Sequence, residues 1–548
     1  MYKVTMGDNV IEVNEGATYH ELALEYEKEH GVMPYLVRVD DTVKELRRHI
    51  RRDEKIEFLF FDNDTVRETY TRTAIFILLK SIYEAYDKKL DAGLKFRIKN
   101  GYYFEVEDEE ITEEKLKLIK ENFDKTVENK FFIQKTSYQK QDALDIFRKN
   151  RMEDAMLLFQ YKYKPVINIR TIDYYVKYIN GILLYDTSYI THYELRKFKK
   201  GIFLIVPDTK DVTKVEFTDP GEKIFNIHNV SVDWAKKLQI NTVGKLNDSI
   251  ARGNFNDLVI MTESFQDKLI GDIASEIKNS GKRLILVAGP SSSGKTSFSH
   301  RLMYHMRAVE LNPYPVSCDD FFKERSETPV KANGEYDFET IDAVDIKLLN
   351  KTLNGLLNHE ETVIPRFDFE IGTKTFKRTP LKLSDNDVII LEGIHCLNPA
   401  LLSNVDQNSI YKIYISALTE VCIDNANRIA TSDLRLMRRL VRDQRTRGIS
   451  PKTTLKLWKN VREGEEKYIF PFQERADILI NSALIYEFSV LKLKALPMLY
   501  RLTEDKEVSE IARRLIKILN YFLAVDTDVI PRYSIIREFI GNSVLEVG

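Results

Sequence analysis

Residues 281–497 predict an α/β domain built on a doubly wound parallel sheet, and three observations carry that expectation. Short apolar strands alternate with amphipathic helices in the βαβ manner. The first strand, LILVA, runs straight into a glycine-rich turn that opens a helix, SFSHRLMYHMRAVE. The next two strands, YPVS and DVIIL, close on acids at Asp319 and Glu392.

The segments around this domain read differently. Residues 1–62 give two short strands around a GDN turn, then a helix, then the strands YLVRV and KIEFLFF, which is a small β-grasp order. Thr18 and Glu21 form the T-x-x-E capping box that starts the helix YHELALEYEKEHG. Residues 63–205 predict an α+β domain, with a long helix (TRTAIFILLKSIYEAY), a strand pair around GYYFEVE and a helix beginning at Thr112. Residues 206–280 read as a helical connector and 498–548 as a helical tail. A chain of 548 residues suits three or four such domains.

Composition excludes several classes. A net charge of −2 carries no basic excess of the kind that advertises nucleic acid. Three cysteines, none in a C-x-x-C pair, argue against a disulfide framework or a cysteine zinc site and favour a reducing cytoplasm. The N-terminus MYKVTMGDN lacks a signal pattern, and apolar runs such as AIFILL are too short to span a bilayer, so no membrane partner is expected.

The turn after LILVA is Gly289-Pro290-Ser291-Ser292-Ser293-Gly294-Lys295-Thr296-Ser297, which fits G-x-x-x-x-G-K-[ST]. Glycines let the backbone wind around a polyphosphate with its N–H groups pointing inward. The lysine reaches the outer phosphates and the threonine hydroxyl can hold Mg²⁺, so the expected ligand is a nucleoside triphosphate. Asp319 lies just beyond the carboxyl end of a parallel strand, on the side of the sheet where the loop opens. There it can take a proton from an attacking hydroxyl or hold the metal; a helix N-cap is the ordinary alternative. Glu392 occupies the position of an acid that polarises Mg²⁺ or its water, with strand termination as the ordinary alternative.

Arg435, Arg438, Arg439 and Arg442 recur at helical spacing and predict one cationic face, followed by Arg445, Arg447 and a C-cap or hinge at Gly448. Guanidinium groups on a hinged helix suit a lid that stabilises a transferring phosphoryl group. Asp337 and Glu339 stand beside Tyr336 and Phe338, a pairing that suits a ribose diol next to a stacked base, and Phe367 offers a further ring. Taken alone, these are equally ordinary loop acids and core aromatics. The run Leu46–Arg52 can touch RNA phosphates or form a solvated charged face.

Together GPSSSGKT, SCDDFF, YDFETIDAVD, IPRFDF, VIILEGIHCL and RRLVRDQRTRG resemble the uridine kinase branch of the phosphoribulokinase/uridine kinase family over about 281–497. The resemblance implies a P-loop nucleoside kinase using ATP and Mg²⁺. It makes Asp319 the base for a 5′-hydroxyl, Glu339 (or Asp337, a register slip away) the ribose acid, and Glu392 the metal-site acid. Arg439, Arg442 and Arg447 become the lid arginines, and Phe367 the ring against the base. Two positions depart from the family pattern: Gly372 stands for a histidine and Ile449 for an arginine, both on base recognition. The strings NGYYFEVE, ITEEKLKLIKENF and SYQKQDALDIF give residues 63–205 a resemblance to the editing (second additional) domain of threonyl-tRNA synthetases, and 1–62 resemble their TGS domain. That editing pocket uses an H-x-x-x-H pair, a cysteine and a histidine. This chain has no histidine between His49 and His192 and no cysteine before Cys318, so its metal ligands are absent. The expected partners are ATP and a nucleoside, with RNA contact through the N-terminal segments and oligomerisation left open. The alternatives are a kinase of another small alcohol or sugar phosphate, or an RNA-linked nucleotide switch.

Overall fold

The computed structural model describes residues 1–40, 42–330, 334, 336–368 and 371–547. The chain divides into two compact units, one comprising Met1–Pro220 with Cys422–Arg428, the other Gly221–Val421 with Ile429–Gly548.

The first unit opens with a five-stranded sheet ordered Asn9–Val13, Tyr2–Met6, Glu54–Leu59, Leu36–Val39, Thr42–Lys44. Tyr2–Met6 pairs parallel with Glu54–Leu59, as a β-grasp order requires, and helix Tyr19–His30 follows the first hairpin. The capping box forms: Thr18 Oγ1 accepts from the Glu21 amide and Glu21 reaches back to the Thr18 amide. Helix Asp64–Ala85 is buried on nearly every face, which explains its continuous apolar run. Around it lie a four-stranded sheet (Glu194–Phe198, Gly201–Ile205, Gly101–Val106, Ala92–Ile98) and a three-stranded one (Tyr175–Lys177, Val166–Ile172, Ile133–Gln139).

The basic run Leu46–Arg52 is not one continuous solvated face. Leu46 and Ile50 enter the core, and Arg47 turns inward to Glu45 at 3.2 Å, leaving Arg48, Arg51 and Arg52 exposed. Glu45 also pairs with the buried Arg170 and accepts the Leu183 amide, and these partners hold its carboxyl below the usual range despite burial.

In the second unit helices Glu222–Lys237, Val243–Ala251 and Phe255–Ser280 precede a parallel sheet ordered Asn312–Ser317, Asp387–Glu392, Leu284–Ala288, Ile410–Ser416, Ile478–Asn481. Every pairing in it is parallel. The P-loop strand Leu284–Ala288 is central, and the chain fills one side before crossing to the other, so the crevice at its carboxyl end is a topological switch point. Pro313 and Pro315 sit in Asn312–Ser317, an edge strand where a missing N–H is tolerated. Ile285 and Val287 pack with Phe298, Leu302 and Met306 of the P-loop helix Lys295–Ala308 and with Ile270, Ile273 and Ile277 of Phe255–Ser280. The C-terminal segment adds helices Glu487–Tyr500, Ser509–Leu519 and the short Arg537–Ile540. Among the described residues no helix is long and apolar enough to cross a membrane.

Removing one partner of a buried pair leaves an uncompensated charge. Glu45→Ala is therefore expected to destabilise the first unit by about 3–5 kcal/mol, measured by denaturant unfolding. A loss below about 1 kcal/mol, the size typical of an exposed pair, would contradict the buried role.

Candidate active site

The glycines of the loop are required by contact. A Cβ on Gly289 would meet the Ile415 carbonyl oxygen at 2.1 Å, and Gly294 adopts φ +85°. Ser292 also takes a left-handed backbone, φ +59°, which completes the winding. Two loop carbonyls, those of Ser291 and Ser292, turn away from the crevice and need donors. Arg435 Nη1 reaches the Ser291 oxygen at 3.1 Å and Arg438 Nη1 the Ser292 oxygen at 3.3 Å.

That geometry corrects the expectation of one cationic face. In helix Thr431–Thr446, Arg435 and Arg438 are fully buried, paired with the equally buried Glu465 and Glu487. They brace the loop from behind and do not point at a transferring group. Three others gather on the buried Asp443: Arg439 at 3.2 Å, Arg442 at 3.0 Å and Arg447 at 3.7 Å, while Arg445 turns to the Glu538 and Phe539 carbonyls. Arg439 also donates to Ser291 Oγ at 2.9 Å, and Arg447 carries a half-exposed side chain whose charge acts on Asp319. Gly448, φ +63°, ends the helix as its spacing predicts, and Ser450 caps the following helix Pro451–Tyr468.

Across the crevice, Thr296 Oγ1 donates to Glu392 Oε1 at 3.0 Å, and Lys295 Nζ rests 3.4 Å from the Pro290 oxygen. Burial raises the Glu392 carboxyl to about 7, with Glu538 and Asp319 adding and Lys295 and Thr296 opposing. A hydroxyl and a carboxylate side by side are hard oxygen donors, a fit for Mg²⁺ completed by phosphate oxygens.

Asp319 lies in the turn Cys318–Phe321, whose N-cap is Ser317, so the capping alternative for Asp319 does not hold. Its carboxyl has no hydrogen-bond partner among the described residues and opens to solvent. Lost hydration on its protein side raises it above the ordinary range, Asp320 adds, and Lys295 and Arg447 oppose. The neighbouring Asp320 is occupied, accepting from the Phe367 amide at 3.2 Å and Arg378 at 3.3 Å. Cys318 and Cys396 are both buried, and burial pushes the Cys396 thiol up, so it is a packing group and not a nucleophile.

Glu339 packs against Gly464 of helix Pro451–Tyr468, where a Cβ would lie 3.1 Å from its own, and its amide donates to Asp337 Oδ1 at 3.2 Å. Phe367 is buried edge-on to Phe322 at 5.9 Å, with Phe338 on the same ring at 5.4 Å. Gly372 has φ +78°, and a Cβ there would collide with the Arg325 side chain at 2.7 Å. Arg325 thus fills the start of the space that a histidine side chain would need. Sequence reasoning missed Arg325, the acids Asp443, Glu465 and Glu487, and His395, which is 2% exposed and lowered by burial to about 4. His395 stands three residues past Glu392, where its strand ends, which is the one local signal it carried.

The fold is that of an α/β kinase domain, and its glycine-rich loop, a hydroxyl–carboxylate pair and an acid with no hydrogen-bond partner among the described residues meet at one switch point. Residues 284–485 match the phosphoribulokinase/uridine kinase family and form a domain of it, with a kinase's phosphotransfer chemistry. A uridine kinase of Anoxybacillus flavithermus is 28% identical over 198 residues, covering 36% of this chain and 84% of the relative. One from Staphylococcus epidermidis is 29% identical over 199 residues, 36% and 86% of the two chains. A structure titled as that of a possible uridine kinase from Bacillus stearothermophilus is 20% identical over 39% of this chain and 97% of that one, with a TM-score of 0.26.

Because Glu392 is held at about 7, the folded chain keeps a proton that the unfolded chain releases above the ordinary 4.5. Its contribution to stability is complete below the lower value and lost as pH rises through the higher one. Glu392→Gln is expected to flatten that part of the decline, read from urea midpoints at roughly pH 5 and pH 8. Equal declines in the two proteins would contradict the burial of this carboxyl.

Proposed function

We propose that the chain is an ATP- and Mg²⁺-dependent kinase that phosphorylates the 5′-hydroxyl of a nucleoside. The observation that carries the reading is Asp319, an unpartnered acid with a raised proton affinity, beside Lys295 and the Thr296–Glu392 pair. Residues 289–297 cradle the triphosphate and Lys295 draws its outer phosphates. Asp319 accepts the hydroxyl proton as the 5′-oxygen bonds to the γ-phosphorus. The bond from that phosphorus to the β,γ-bridging oxygen breaks, and ADP leaves. Thr296 and Glu392 are the residues that would hold Mg²⁺, whose charge offsets that of the phosphates. Arg439, Arg442 and Arg447, which share the single carboxylate of Asp443, supply the cations for the transferring group. Glu339 and Asp337 take the ribose hydroxyls and Phe367 backs the base.

The five-part division (1–62 TGS-like, 63–205 editing-like, 206–280 connector, 281–497 kinase, 498–548 tail) and a cytoplasmic location belong to the same reading. One observation favours a second: Arg325 at Gly372 alters the base-recognition corner, which suits a different small alcohol as acceptor.

Purified chain with Mg²⁺ and ATP should consume ATP faster with one or a few members of a ribo- and deoxyribonucleoside panel. Lys295→Ala is expected to lower that turnover by about 10²-fold or more. Consumption that no nucleoside accelerates would overturn the nucleoside reading in favour of another alcohol.

A further inference from the structure

The family match ends at residue 485, yet a residue well beyond it reaches into the phosphate cradle. Glu538, in the short helix Arg537–Ile540, is 7% exposed. Its Oε2 accepts the Ser297 amide at 3.2 Å and the Ser297 hydroxyl at 2.9 Å. Ser297 is the third residue of the P-loop helix, and first-turn amides have no acceptor within their own helix. The N-cap is Gly294, which has no side chain to supply one. In a phosphate-binding loop, such amides point at the inner phosphates of the nucleotide. Here a carboxylate from 241 residues away has that place.

The segment is fastened on both sides of the cradle. Arg445 of helix Thr431–Thr446 donates to the Glu538 oxygen at 2.7 Å and the Phe539 oxygen at 3.2 Å. The Phe539 ring lies 4.9 Å from the Arg438 guanidinium, and Ile535 Cγ2 stands 2.6 Å from where a Cβ on Gly294 would be. Glu538 also places a further negative charge beside Glu392 in a site shaped for a polyanion.

We propose that Glu538 is a built-in competitor for the donor site: its carboxylate holds Ser297 in place of the donor's innermost phosphate, and nucleotide seats only by displacing it. The C-terminal segment thereby regulates donor binding, and undocking it from Ser297 and Arg445 is one exchange with nucleotide entry. This rests on the P-loop being the donor site.

The test is equilibrium binding of Mg·ATP and Mg·ADP to the full-length chain, for wild type, Glu538→Gln, Arg445→Ala and Lys295→Ala. Glutamine keeps an acceptor and the shape but removes the charge, so a role in capping alone would leave nucleotide affinity unchanged. The competitor account expects Glu538→Gln to tighten both nucleotides about tenfold or more through lost charge repulsion. Arg445→Ala, which loosens the segment without touching the cradle, should shift affinity the same way and carries the test if Glu538→Gln does not fold. Unchanged or weaker binding in the folded variants overturns the competitor while Lys295→Ala still abolishes binding. If Lys295→Ala binds like wild type, the donor site itself is misassigned and the competitor falls with it.

Discussion

A phosphate-binding loop can turn its amides inward only if something satisfies the carbonyls that this turns outward. Here two buried ion pairs do so. Arg435–Glu465 and Arg438–Glu487 hold guanidinium groups against the Ser291 and Ser292 oxygens, and Glu465 also accepts the Ser291 amide at 3.1 Å. Each of these four side chains is almost wholly removed from water, where an unmatched charge would cost several kcal/mol. The pairs tie the loop to helix Thr431–Thr446, to the helix after it and to Glu487–Tyr500. The cradle is therefore shaped before any ligand arrives, which is the condition for electrostatic preorganisation.

With the loop fixed, the charges in the crevice sort themselves by environment. Lys295 is the cation common to Asp319 and Glu392, and both acids are raised because hydration lost to the surrounding protein outweighs its attraction. Glu392 is tied to Thr296, whereas Asp319 has no hydrogen-bond partner among the described residues and stands beside Asp320, which is engaged with Phe367 and Arg378. Two adjacent aspartates thus divide into a free acid at the crevice and a structural one behind it. Three arginines sharing one carboxylate at Asp443 leave surplus positive charge at the same mouth, as phosphoryl transfer needs.

What the sequence disclosed was local. The capping box at Thr18, the strand–loop–helix at Gly289–Thr296, the acid closing Asp387–Glu392 and the stop at Gly448 each depend on neighbours within a few residues. What it hid was long-range. Arg435 and Arg438 look like lid residues until Glu465, 30 positions on, and Glu487, 49 positions on, fold against them. Arg47 looks solvated until Glu45 and the Leu184 carbonyl, 137 positions on, take up its guanidinium. Gly372 looks like a lost ligand until Arg325 is seen occupying its space. A helical wheel shows which residues share a face, not which of them will meet an acid from another element.

The central claim is that Asp319 does chemistry while the loop does binding, and one variant separates the two. Asp319→Asn should bind Mg·ATP within about twofold of wild type, yet transfer phosphate to the accepted alcohol about 10²-fold or more slowly. Transfer at the wild-type rate would contradict the account.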